Sequence, residues 1–579
     1  MPTKDPANPA PDTGAAPLGD PLTELPRKAA PAKPGITDMH FEDLRRKRIV
    51  KTGITGLDDL FFGGGIIAYN AVLIEGPPGS GKTTLGVQYV YNGITQFDEP
   101  GIIVSFEETA HQLMRDTRTF GWDLDRLQRE NKLRILCTTP EILFKSLEPN
   151  EMLDRTIREL RPTRILIDSL VHITQEALNP GKSRELVFKL ITILKRHRLT
   201  AFMINEIQET DTQAISPEAY LVDTVLALSI HRPASSDHSV HYLEIRKSRG
   251  QFHRPGLHSY KFTPEGIQLF PQPQILGVTI TEPDGSRRSS GIPALDLMLQ
   301  GGFICGTTNL VIGNPGTGKT LMGVHFAQGG MPTNDTSLII TLREPILELL
   351  AFTRSFGMDL PALAEMQKLF MWYFPPITFN FDEMMYQLDQ LVQETPIQRL
   401  IFDGLNDIAG RSSDPGFFTI RLAMLRDFCY RYGITALLLY DAPTVTGSQG
   451  QQHMNFTAHV DSTILLQMIE TESTIKKVLT VLKMKGSAHV KDLIEYDIAN
   501  EGIVITQKMT GLSGILTGSP QGLRKQTIEE ALQPLSFIED FAKIVGQELK
   551  DTPHAEIMNT MASEARKVTA WLKSHFRLK

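Results

Sequence analysis

The chain has 579 residues, which is too long for one hydrophobic core and predicts about three or four domains of roughly 100–200 residues each. Its apolar fraction of 41% and charged fraction of 22% are those of an ordinary folded protein, and its net charge of −7 argues against a general attraction to nucleic acid or anionic membranes. The three cysteines, Cys137, Cys305 and Cys429, are far apart and form no metal-binding motif, which argues against a disulfide framework and favours a reducing cytoplasm.

The chain begins with a segment, residues 1–38, that is rich in proline and alanine. It has no apolar stretch to bury and no signal-peptide core, so we predict a disordered, solvated arm, with a flexible tether as the alternative. No apolar run in the sequence approaches the ~20 residues that cross a bilayer, and no membrane association is expected.

After this arm the sequence repeats itself. The matching segments are GITGLDDLFFGGG (53–65) with GIPALDLMLQGG (291–302), GPPGSGKTT (76–84) with GNPGTGKTL (313–321), ILIDSL (165–170) with LIFDGL (400–405), TAFMINE (200–206) with TALLLYD (435–441), and EIRKSRG (244–250) with VLKMKG (481–486). Because five features keep their order and nearly the same offset, the pattern predicts a duplicated domain. We place the two copies at residues 39–272 and 273–510, with the proline-containing stretch 262–276 at their junction.

Within each copy, short apolar runs alternate with helical patterns. Runs such as NAVLIEG and RILIDSL are typical of buried strands, whereas SRELVFKLITILKRH has apolar residues at helical spacing. The alternation predicts an α/β fold with a mainly parallel sheet covered on both faces. TVLALSI (224–230) and HYLEIRKSRG (241–250) are expected to add antiparallel strands at one edge. Residues 511–579 predict a helical C-terminal tail, because apolar residues recur there with helical spacing.

Both copies contain the phosphate-loop motif G-x-x-x-x-G-K-[ST] between an apolar strand and a helix. Glycines in such a loop let backbone N–H groups face phosphates, which also lie at the positive end of the following helix. The predicted ATP-binding residues are Gly76, Gly79, Ser80, Gly81, Lys82, Thr83 and Thr84 in the first copy, and Gly313, Gly316, Thr317, Gly318, Lys319, Thr320 and Leu321 in the second.

The same motif predicts a Mg²⁺ site in each copy. The hydroxyl groups of Thr83 and Thr320 are of the type that binds Mg²⁺ in such loops. Asp168 and Asp403 end apolar strands roughly 85 residues after the phosphate-loop lysines, and carboxylates in this position hold the Mg²⁺ shell. An aspartate after a strand can also cap a helix, but its place in this order of motifs favours the metal.

Hydrolysis also needs a carboxylate that activates water at the end of a neighbouring strand. Glu107 and Glu108 occupy that place in the first copy, whereas the second copy has Arg343 and Glu344. We expect Arg343 to pair with Glu344 and to disfavour a base there. The sequence therefore predicts unequal lobes, with catalysis in the first by at least one of its two glutamates.

Basic residues follow a late strand of each copy: Lys247 and Arg249 in the first, Lys483 and Lys485 in the second. In ring-shaped NTPases, such residues reach the γ-phosphate bound to a neighbouring subunit. A solvated strand end is the alternative, but the repetition favours the catalytic interpretation.

These residues resemble the KaiC family of circadian-clock ATPases, within the RecA-like superfamily. The resemblance covers about residues 48–507. Its motifs are GxxGLDxL, the phosphate loop, the paired glutamates, the strand ending in Asp, KxRG, HVDSTILLQ (459–467), KMKG and GSP (518–520). It implies two tandem RecA-like P-loop NTPase domains, a homohexamer of two stacked rings with ATP between subunits, and a KaiB-like or other signalling partner. It also implies slow hydrolysis in the first ring and autophosphorylation of a Ser/Thr pair in the second.

The second lobe departs from the family pattern at three points. Arg343 replaces the glutamate that serves as the base for autophosphorylation, and Lys485 replaces an arginine, which is a better planar phosphate donor than lysine. The phosphoacceptor pair falls on Thr457 and Ala458, so one hydroxyl is missing. We therefore predict a cytoplasmic ATPase whose first lobe hydrolyses Mg·ATP and whose second lobe binds ATP for assembly or signalling.

Three alternatives remain at the level of the sequence. The first is a Ser/Thr autokinase and autophosphatase of a clock-like system that uses Thr457 or a nearby hydroxyl. The second is an ATP-driven DNA-binding protein of the RecA or helicase type, against which the acidic net charge argues. The third is a signalling scaffold whose tail, residues 521–579, binds a partner.

Overall fold

The computed structural model describes residues 48–148, 151–175, 180–207, 216–232, 239–273, 285–409, 415–441, 455–471, 474–509, 512–513, 521–550 and 552–575. The predicted arm, residues 1–38, and the GSP segment at 518–520 lie outside these described residues. The described chain forms two successive α/β lobes and a pair of C-terminal helices, so the predicted fold class of two tandem α/β domains with mainly parallel sheets and a helical extension is confirmed.

The first lobe is built on a nine-stranded sheet with the order β11-β10-β9-β8-β3-β7-β6-β4-β5. Strands β3 to β8 run parallel to one another, whereas β9, β10 and β11 are added in antiparallel orientation beside β8. A separate antiparallel pair, β1 and β2, precedes the sheet. The strands are β1 (Ile49–Val50), β2 (Ile66–Ile67), β3 (Ala71–Gly76), β4 (Gly101–Ser105), β5 (Leu133–Cys137), β6 (Arg164–Asp168), β7 (Thr200–Glu206), β8 (Thr224–His231), β9 (Val240–Ser248), β10 (His258–Thr263) and β11 (Gly266–Phe270).

The parallel strands of this lobe are connected mainly by helices. These are α1 (Lys82–Phe97), α2 (Ala110–Thr117), α3 (Leu124–Arg129), α4 (Pro140–Ser146), α5 (Met152–Leu160), α6 (Leu170–Gln175) and α7 (Pro180–Arg196). Several helix starts follow from local chemistry. Thr109 forms a capping box with Gln112 at the start of α2, and Asp123 accepts a hydrogen bond from the N–H of Arg126 in α3.

The second lobe repeats the plan, with the strand order β16-β15-β17-β18-β14-β19-β20-β21-β22. Its strands are β12 (Arg287–Arg288), β13 (Phe303–Ile304), β14 (Thr308–Gly313), β15 (Ser337–Thr341), β16 (Leu369–Tyr373), β17 (Arg399–Asp403), β18 (Thr435–Asp441), β19 (Ser462–Thr471), β20 (Thr474–Met484), β21 (Ile494–Ala499) and β22 (Gly502–Lys508). Its helices are α8 (Pro293–Met298), α9 (Lys319–Gln328), α10 (Ile346–Arg354), α11 (Leu360–Glu365), α12 (Phe381–Glu394), α13 (Leu405–Ala409) and α14 (Pro415–Arg431).

Both faces of each sheet are buried, which explains the continuous apolar runs in the sequence. In β3, Val72 belongs to one hydrophobic core and Leu73 to the core on the other face. In β14, Leu310 and Val311 are divided in the same way. Successive side chains of a strand point to opposite faces, so a strand between two helical layers must be apolar throughout.

One expectation about the edge strands was wrong. TVLALSI was expected to be antiparallel, but it forms β8, which runs parallel to β3; only the following strand, β9, reverses direction. The chain between β7 and β8 covers residues 207–223. A connection of this length is long enough for the crossover that a parallel strand requires.

An arginine begins a central strand in each lobe and is completely buried. Arg164 donates hydrogen bonds to the Glu99 carboxylate at 2.8 and 2.7 Å, to the Tyr89 carbonyl at 2.9 Å and to the Lys51 carbonyl at 2.6 Å. Arg399 of the second lobe similarly binds Asp335 at 2.8 Å and three backbone carbonyl groups. These arginines tie their strands to α1 in the first lobe and α9 in the second, and to the segments around those helices.

The two lobes meet where β10 of the first lies against the start of α12 in the second. Asn380 caps α12 by accepting a hydrogen bond from the N–H of Asp382, and its Nδ2 donates to Ser259 Oγ at 3.0 Å. Lys261 forms an ion pair with Glu383 across the same contact. Strand β10 of the first lobe therefore supports the beginning of a helix in the second.

The C-terminal tail is helical, as predicted. After the short pair β23 (Leu512–Ser513) and β24 (Gln521–Gly522), helices α15 (Leu523–Glu548) and α16 (His554–His575) pack against each other. Large apolar side chains, including Phe537, Phe541 and Trp571, remain exposed on this pair. Among the described residues, no helix combines the length and apolar character that crossing a membrane would require.

Candidate functional site

The first phosphate loop lies between β3 and α1, at the carboxyl end of the parallel sheet. Gly79 and Gly81 have φ angles of +78° and +84°, a region that favours glycine. A Cβ atom on Gly81 would lie 2.6 Å from the ring of Phe262, so this position also requires glycine for space. The loop ends at Lys82, the first residue of α1, and the N-terminal end of that helix attracts anions.

Lys82 is buried at the start of this helix. Its ammonium group donates a hydrogen bond to the Pro77 carbonyl at 2.9 Å. Burial lowers the pKa of Lys82, while the nearby carboxylates of Glu206, Asp168 and Glu107 act in the opposite direction. The lysine is therefore a partly desolvated donor within the loop, and an incoming phosphate would improve its electrostatic environment.

The predicted metal-binding oxygens of the first lobe are in contact. Thr83 Oγ1 donates to Asp168 Oδ2 at 2.7 Å, and burial raises the pKa of Asp168 to about 6. The second lobe repeats the contact between Thr320 and Asp403 at 2.6 Å, where burial also raises the aspartate pKa. Hard oxygen donors of this kind fit Mg²⁺, which usually takes few protein ligands and completes its shell with water and phosphate.

No group of three or more His, Cys, Asp or Glu residues in the described part of the chain is arranged to hold a metal ion. The pairs that are in contact beside the phosphate loops are Thr83 with Asp168 and Thr320 with Asp403, one hydroxyl and one carboxylate in each lobe. Such a set needs the nucleotide's own phosphates to complete it, since Mg²⁺ demands six ligands in octahedral geometry.

Glu107 and Glu108 follow β4, which lies three places from β3 and pairs with β6, so their strand does not neighbour the phosphate-loop strand as was expected. Glu107 Oε1 lies 2.8 Å from His172 Nε2 and accepts a hydrogen bond from Ser169 Oγ at 3.3 Å. The backbone N–H of Glu108 donates to Ser105 Oγ at 3.0 Å. Burial raises the pKa of the Glu108 carboxyl group, and the charges of Asp116 and Glu107 add to the effect. One glutamate is thus held by neighbours and the other is tuned toward accepting a proton.

The second phosphate loop has the same backbone form, with Gly316 and Gly318 at φ +80° and +90°. Lys319 Nζ donates to the Gly313 carbonyl at 3.0 Å and the Asn314 carbonyl at 2.8 Å. Burial lowers the pKa of Lys319 to about 8. Unlike Lys82, Lys319 also forms an ion pair with an aspartate, Asp441, at the end of β18.

Arg343 occupies the position of Glu107, and its ion pairs differ from those expected. Instead of Glu344, its guanidinium binds the Asp441 carboxylate and lies 3.5 Å from Asp407. The backbone N–H groups of Arg343 and Glu344 both donate to Thr341 Oγ1, at 3.2 and 3.1 Å. Burial raises the pKa of Glu344.

The arginine substitution has a matching change in its partner. His172, which contacts Glu107 in the first lobe, and Asp407, which contacts Arg343 in the second, follow β6 and β17 at equivalent positions of the repeat. The Glu107–His172 pair of the first lobe is thus replaced by the Arg343–Asp407 pair in the second. Neither His172 nor Asp407 was predicted from the sequence, although aligning ILIDSLVH with LIFDGLND would have placed them opposite each other.

A tyrosine supports each phosphate loop and was also missed by the sequence analysis. The hydroxyl of Tyr260 on β10 donates to the Ser80 carbonyl at 2.5 Å, and that of Tyr496 on β21 donates to the Thr317 carbonyl at 2.6 Å. Both tyrosines are buried. Each antiparallel extension therefore braces the loop of its own lobe through one hydrogen bond.

The other predicted loop residues have different environments. Ser80 and Thr317 are fully buried and donate to loop carbonyl groups at 2.8 and 2.7 Å, so their hydroxyls hold the loop itself. The side chain of Leu321 lies in the hydrophobic core, which leaves only its backbone N–H for a ligand. Thr84 is partly exposed in the first turn of α1, and Gly313 ends β14 at the base of the second loop.

The predicted basic residues lie apart from the phosphate-loop contacts of their own lobe. Lys247 Nζ donates to the Ala219 and Val222 carbonyls at 2.7 and 2.8 Å, and Arg249 donates to the Tyr220 carbonyl at 3.0 Å. In the second lobe, the corresponding interactions are Lys483 with the carbonyls of Thr457 and Val460, both at 2.9 Å, and Lys485 with Asp461 at 3.6 Å. These side chains hold the loop that precedes β8 or β19.

Two parallel sheets that each end in a phosphate loop, with an aspartate–threonine pair beside it, define a tandem P-loop NTPase. The family described as "ATPase: KaiC" matches residues 50–274 and 288–510, which is most of the chain. The chain belongs to the KaiC family of ATPases.

Curated relatives extend the match beyond the individual domains. The circadian clock oscillator protein KaiC of Synechococcus elongatus is 29% identical over 481 residues, covering 81% of this chain and 91% of the relative. That of Nostoc is 28% identical over 482 residues, with the same coverage of both chains. The circadian clock oscillator protein KaiC 1 of Synechocystis is 26% identical over 499 residues, or 84% of this chain and 95% of the relative.

Proposed function

We propose that this KaiC-family ATPase binds Mg·ATP in both lobes and hydrolyses it mainly in the first, as a timing or signalling ATPase. The observation that carries the proposal is the difference between the two strand ends beside the phosphate loops. The first lobe presents Glu107 and Glu108, whereas the second presents Arg343, already paired with Asp441, and Glu344.

In the first lobe, loop N–H groups and Lys82 would hold the phosphates, while Thr83 and Asp168 would hold Mg²⁺. When bound, Mg²⁺ would neutralise charge on the β- and γ-phosphate oxygens. The pair of glutamates follows β4, beside the strand that ends in Asp168, and would orient an attacking water there. Glu107 is anchored by His172, and Glu108, whose pKa is raised, would accept the proton that water loses as the bond from γ-phosphate to ADP breaks.

In the second lobe, the same loop and the Thr320–Asp403 pair would retain Mg·ATP. The positive charge of Arg343 stands where the first lobe has a carboxylate, so Glu344 is the one carboxylate left of the pair that could act as a base. ATP that remains bound can stabilise an assembled state by mass action. This role would suit a lobe that senses or holds nucleotide while the other turns it over.

The test compares steady-state ATP turnover of the wild-type protein with a Glu107→Gln/Glu108→Gln variant and a matched Glu344→Gln variant. The first should lose nearly all turnover, by about a hundredfold or more for a lost proton acceptor, while the second should keep most of it. Mant-ATP binding to each variant checks that the nucleotide sites survive. A large residual turnover in the double variant, or its loss in Glu344→Gln, would contradict the assignment.

We also propose that the active form is a homohexamer with ATP at the subunit interfaces. Arg249 and Lys485 are exposed and lie away from the phosphate loop of their own lobe, which leaves them available to the nucleotide of a neighbour. If ATP in the second lobe holds the ring together, Lys319→Ala should weaken the hexamer while sparing most turnover once assembled. Size-exclusion chromatography with light scattering measures this, and an unchanged hexamer in Lys319→Ala would refute the assembly role.

A further inference from the structure

The second phosphate site contains an arrangement of charge that the first lacks. Two cations, Lys319 and Arg343, converge on the carboxylate of Asp441 and bind different oxygens of it. The Asp441 main chain is itself fixed, because Asn406 donates to its carbonyl at 2.5 Å and accepts from its N–H at 2.6 Å. The carboxylate is largely shielded from solvent, with a side-chain exposure of 13%.

Because Lys319 and Arg343 both bind Asp441, Arg343 lies close to the position where Lys319 would bind a phosphate. Lysine in this motif binds the β- and γ-phosphates of the nucleotide. Since Arg343 and Lys319 bind one carboxylate, their charged groups lie within a few ångströms of the same point. The planar guanidinium can donate two hydrogen bonds to a phosphate, and it suits that anion better than an ammonium group does.

In the first lobe, the residue at the position of Arg343 carries no cation that could bind a phosphate. That residue is Glu107, whose negative charge faces His172. Exchanging the carboxylate for a guanidinium changes the charge at this position by two units, and the exchange of His172 for Asp407 cancels one of them. The second site is thus one unit more positive, beside a site for a strongly anionic ligand. The second lobe should therefore hold the terminal phosphate more tightly than the first.

We propose that Arg343 is a γ-phosphate ligand within its own lobe and makes the second lobe selective for ATP over ADP. This inference rests on the proposed role of the second lobe as a nucleotide site. When ATP binds, the γ-phosphate takes over Lys319 and Arg343 from Asp441. With ADP no γ-phosphate reaches Arg343, and the guanidinium stays on Asp441 and Asp407. The contacts of Arg343 therefore differ between ATP, which has a γ-phosphate, and ADP, which lacks it.

The experiment uses the full-length chain with Lys82→Ala, so that the second lobe is the remaining phosphate-loop site. Calorimetry measures the affinity of the non-hydrolysable analogue AMP-PNP and of ADP, each with Mg²⁺, before and after Arg343→Gln. We expect AMP-PNP affinity to fall about tenfold or more and ADP affinity to change less than about twofold. Arg343→Lys, which keeps the charge but loses the fork, should give an intermediate loss for AMP-PNP alone.

Equal losses for both nucleotides, or no loss for either, would overturn the inference. A further Lys319→Ala change distinguishes a failure of the proposed nucleotide site from a failure of the role given to Arg343. If it abolishes binding of both nucleotides while Arg343→Gln has no selective effect, the site is correct and the role of Arg343 is wrong. If binding persists in Lys82→Ala/Lys319→Ala, the proposed nucleotide site of the second lobe fails and the inference fails with it.

Discussion

The carboxyl group of Asp168 should make the nucleotide-free protein less stable as the pH rises. Its pKa is about 6 in the folded protein because burial disfavours the charged form, against 3.8 for the unperturbed group. The folded state therefore holds its proton at pH values where the unfolded state has released it, and stability falls as pH rises between these two values. Above pH 6 the cost is complete, and it amounts to at most about 3 kcal/mol because some solvent contact remains.

The perturbation is Asp168→Asn, which keeps the shape and the acceptor for the Thr83 hydroxyl but removes the charge. In EDTA and without nucleotide, the variant should be more stable than wild type at pH 8, with a melting temperature higher by up to about 10 °C for a domain of this size. The difference should shrink below about 1 kcal/mol near pH 4, where both proteins are uncharged at this position. Differential scanning calorimetry at pH 8, 6 and 4 measures it.

Two comparisons make the result decisive. Adding Mg²⁺ and AMP-PNP should stabilise the wild type more than Asp168→Asn, because the variant lacks the carboxylate that we propose binds the metal. Asp98→Asn is the matched control, since Asp98 is a surface carboxylate with a side-chain exposure of 82% and should show no pH-dependent gain above about 1 kcal/mol. A variant no more stable than wild type at pH 8, or a gain equally large at pH 4, would refute the reasoning.

Two further predictions concern residues that support the site. Arg164→Met leaves Glu99 without its buried partner and should destabilise the first lobe by about 3–5 kcal/mol, measured by calorimetry; a change below about 1 kcal/mol would contradict the role given to this arginine. Tyr260→Phe removes the donor to the Ser80 carbonyl and should weaken nucleotide binding in the first lobe severalfold without unfolding it. Calorimetry in a Lys319→Ala background tests this, and an unchanged affinity would show that the brace is dispensable.

Sequence patterns were sufficient for the fold and for the position of the two glycine-rich loops. The duplicated order of apolar strands and glycine-rich loops predicts two parallel sheets, because that order is local and repeated. The contact of Asp168 with Thr83 could be expected for the same reason: Asp168 ends its strand, and parallel strands end at one edge of the sheet.

The contacts of a side chain could not be predicted where the contacting residue is distant in the sequence. Arg343 was expected to pair with its neighbour Glu344, but its guanidinium instead binds Asp441, almost a hundred residues later in the sequence. Tyr260 reaches Ser80 from 180 residues away in the sequence. Such contacts require the order of strands in the sheet, and the position of β8 itself differed from expectation.

Strand β10 contacts both the phosphate loop of the first lobe and a helix of the second lobe. Its alternate residues face opposite ways: Ser259 and Lys261 contact the capped end of a helix in the second lobe, whereas Tyr260 between them binds the phosphate loop of the first. A strand held in register on both sides shifts as one piece. We therefore expect that a displacement of the first phosphate loop would also change the contact between the lobes, because β10 takes part in both.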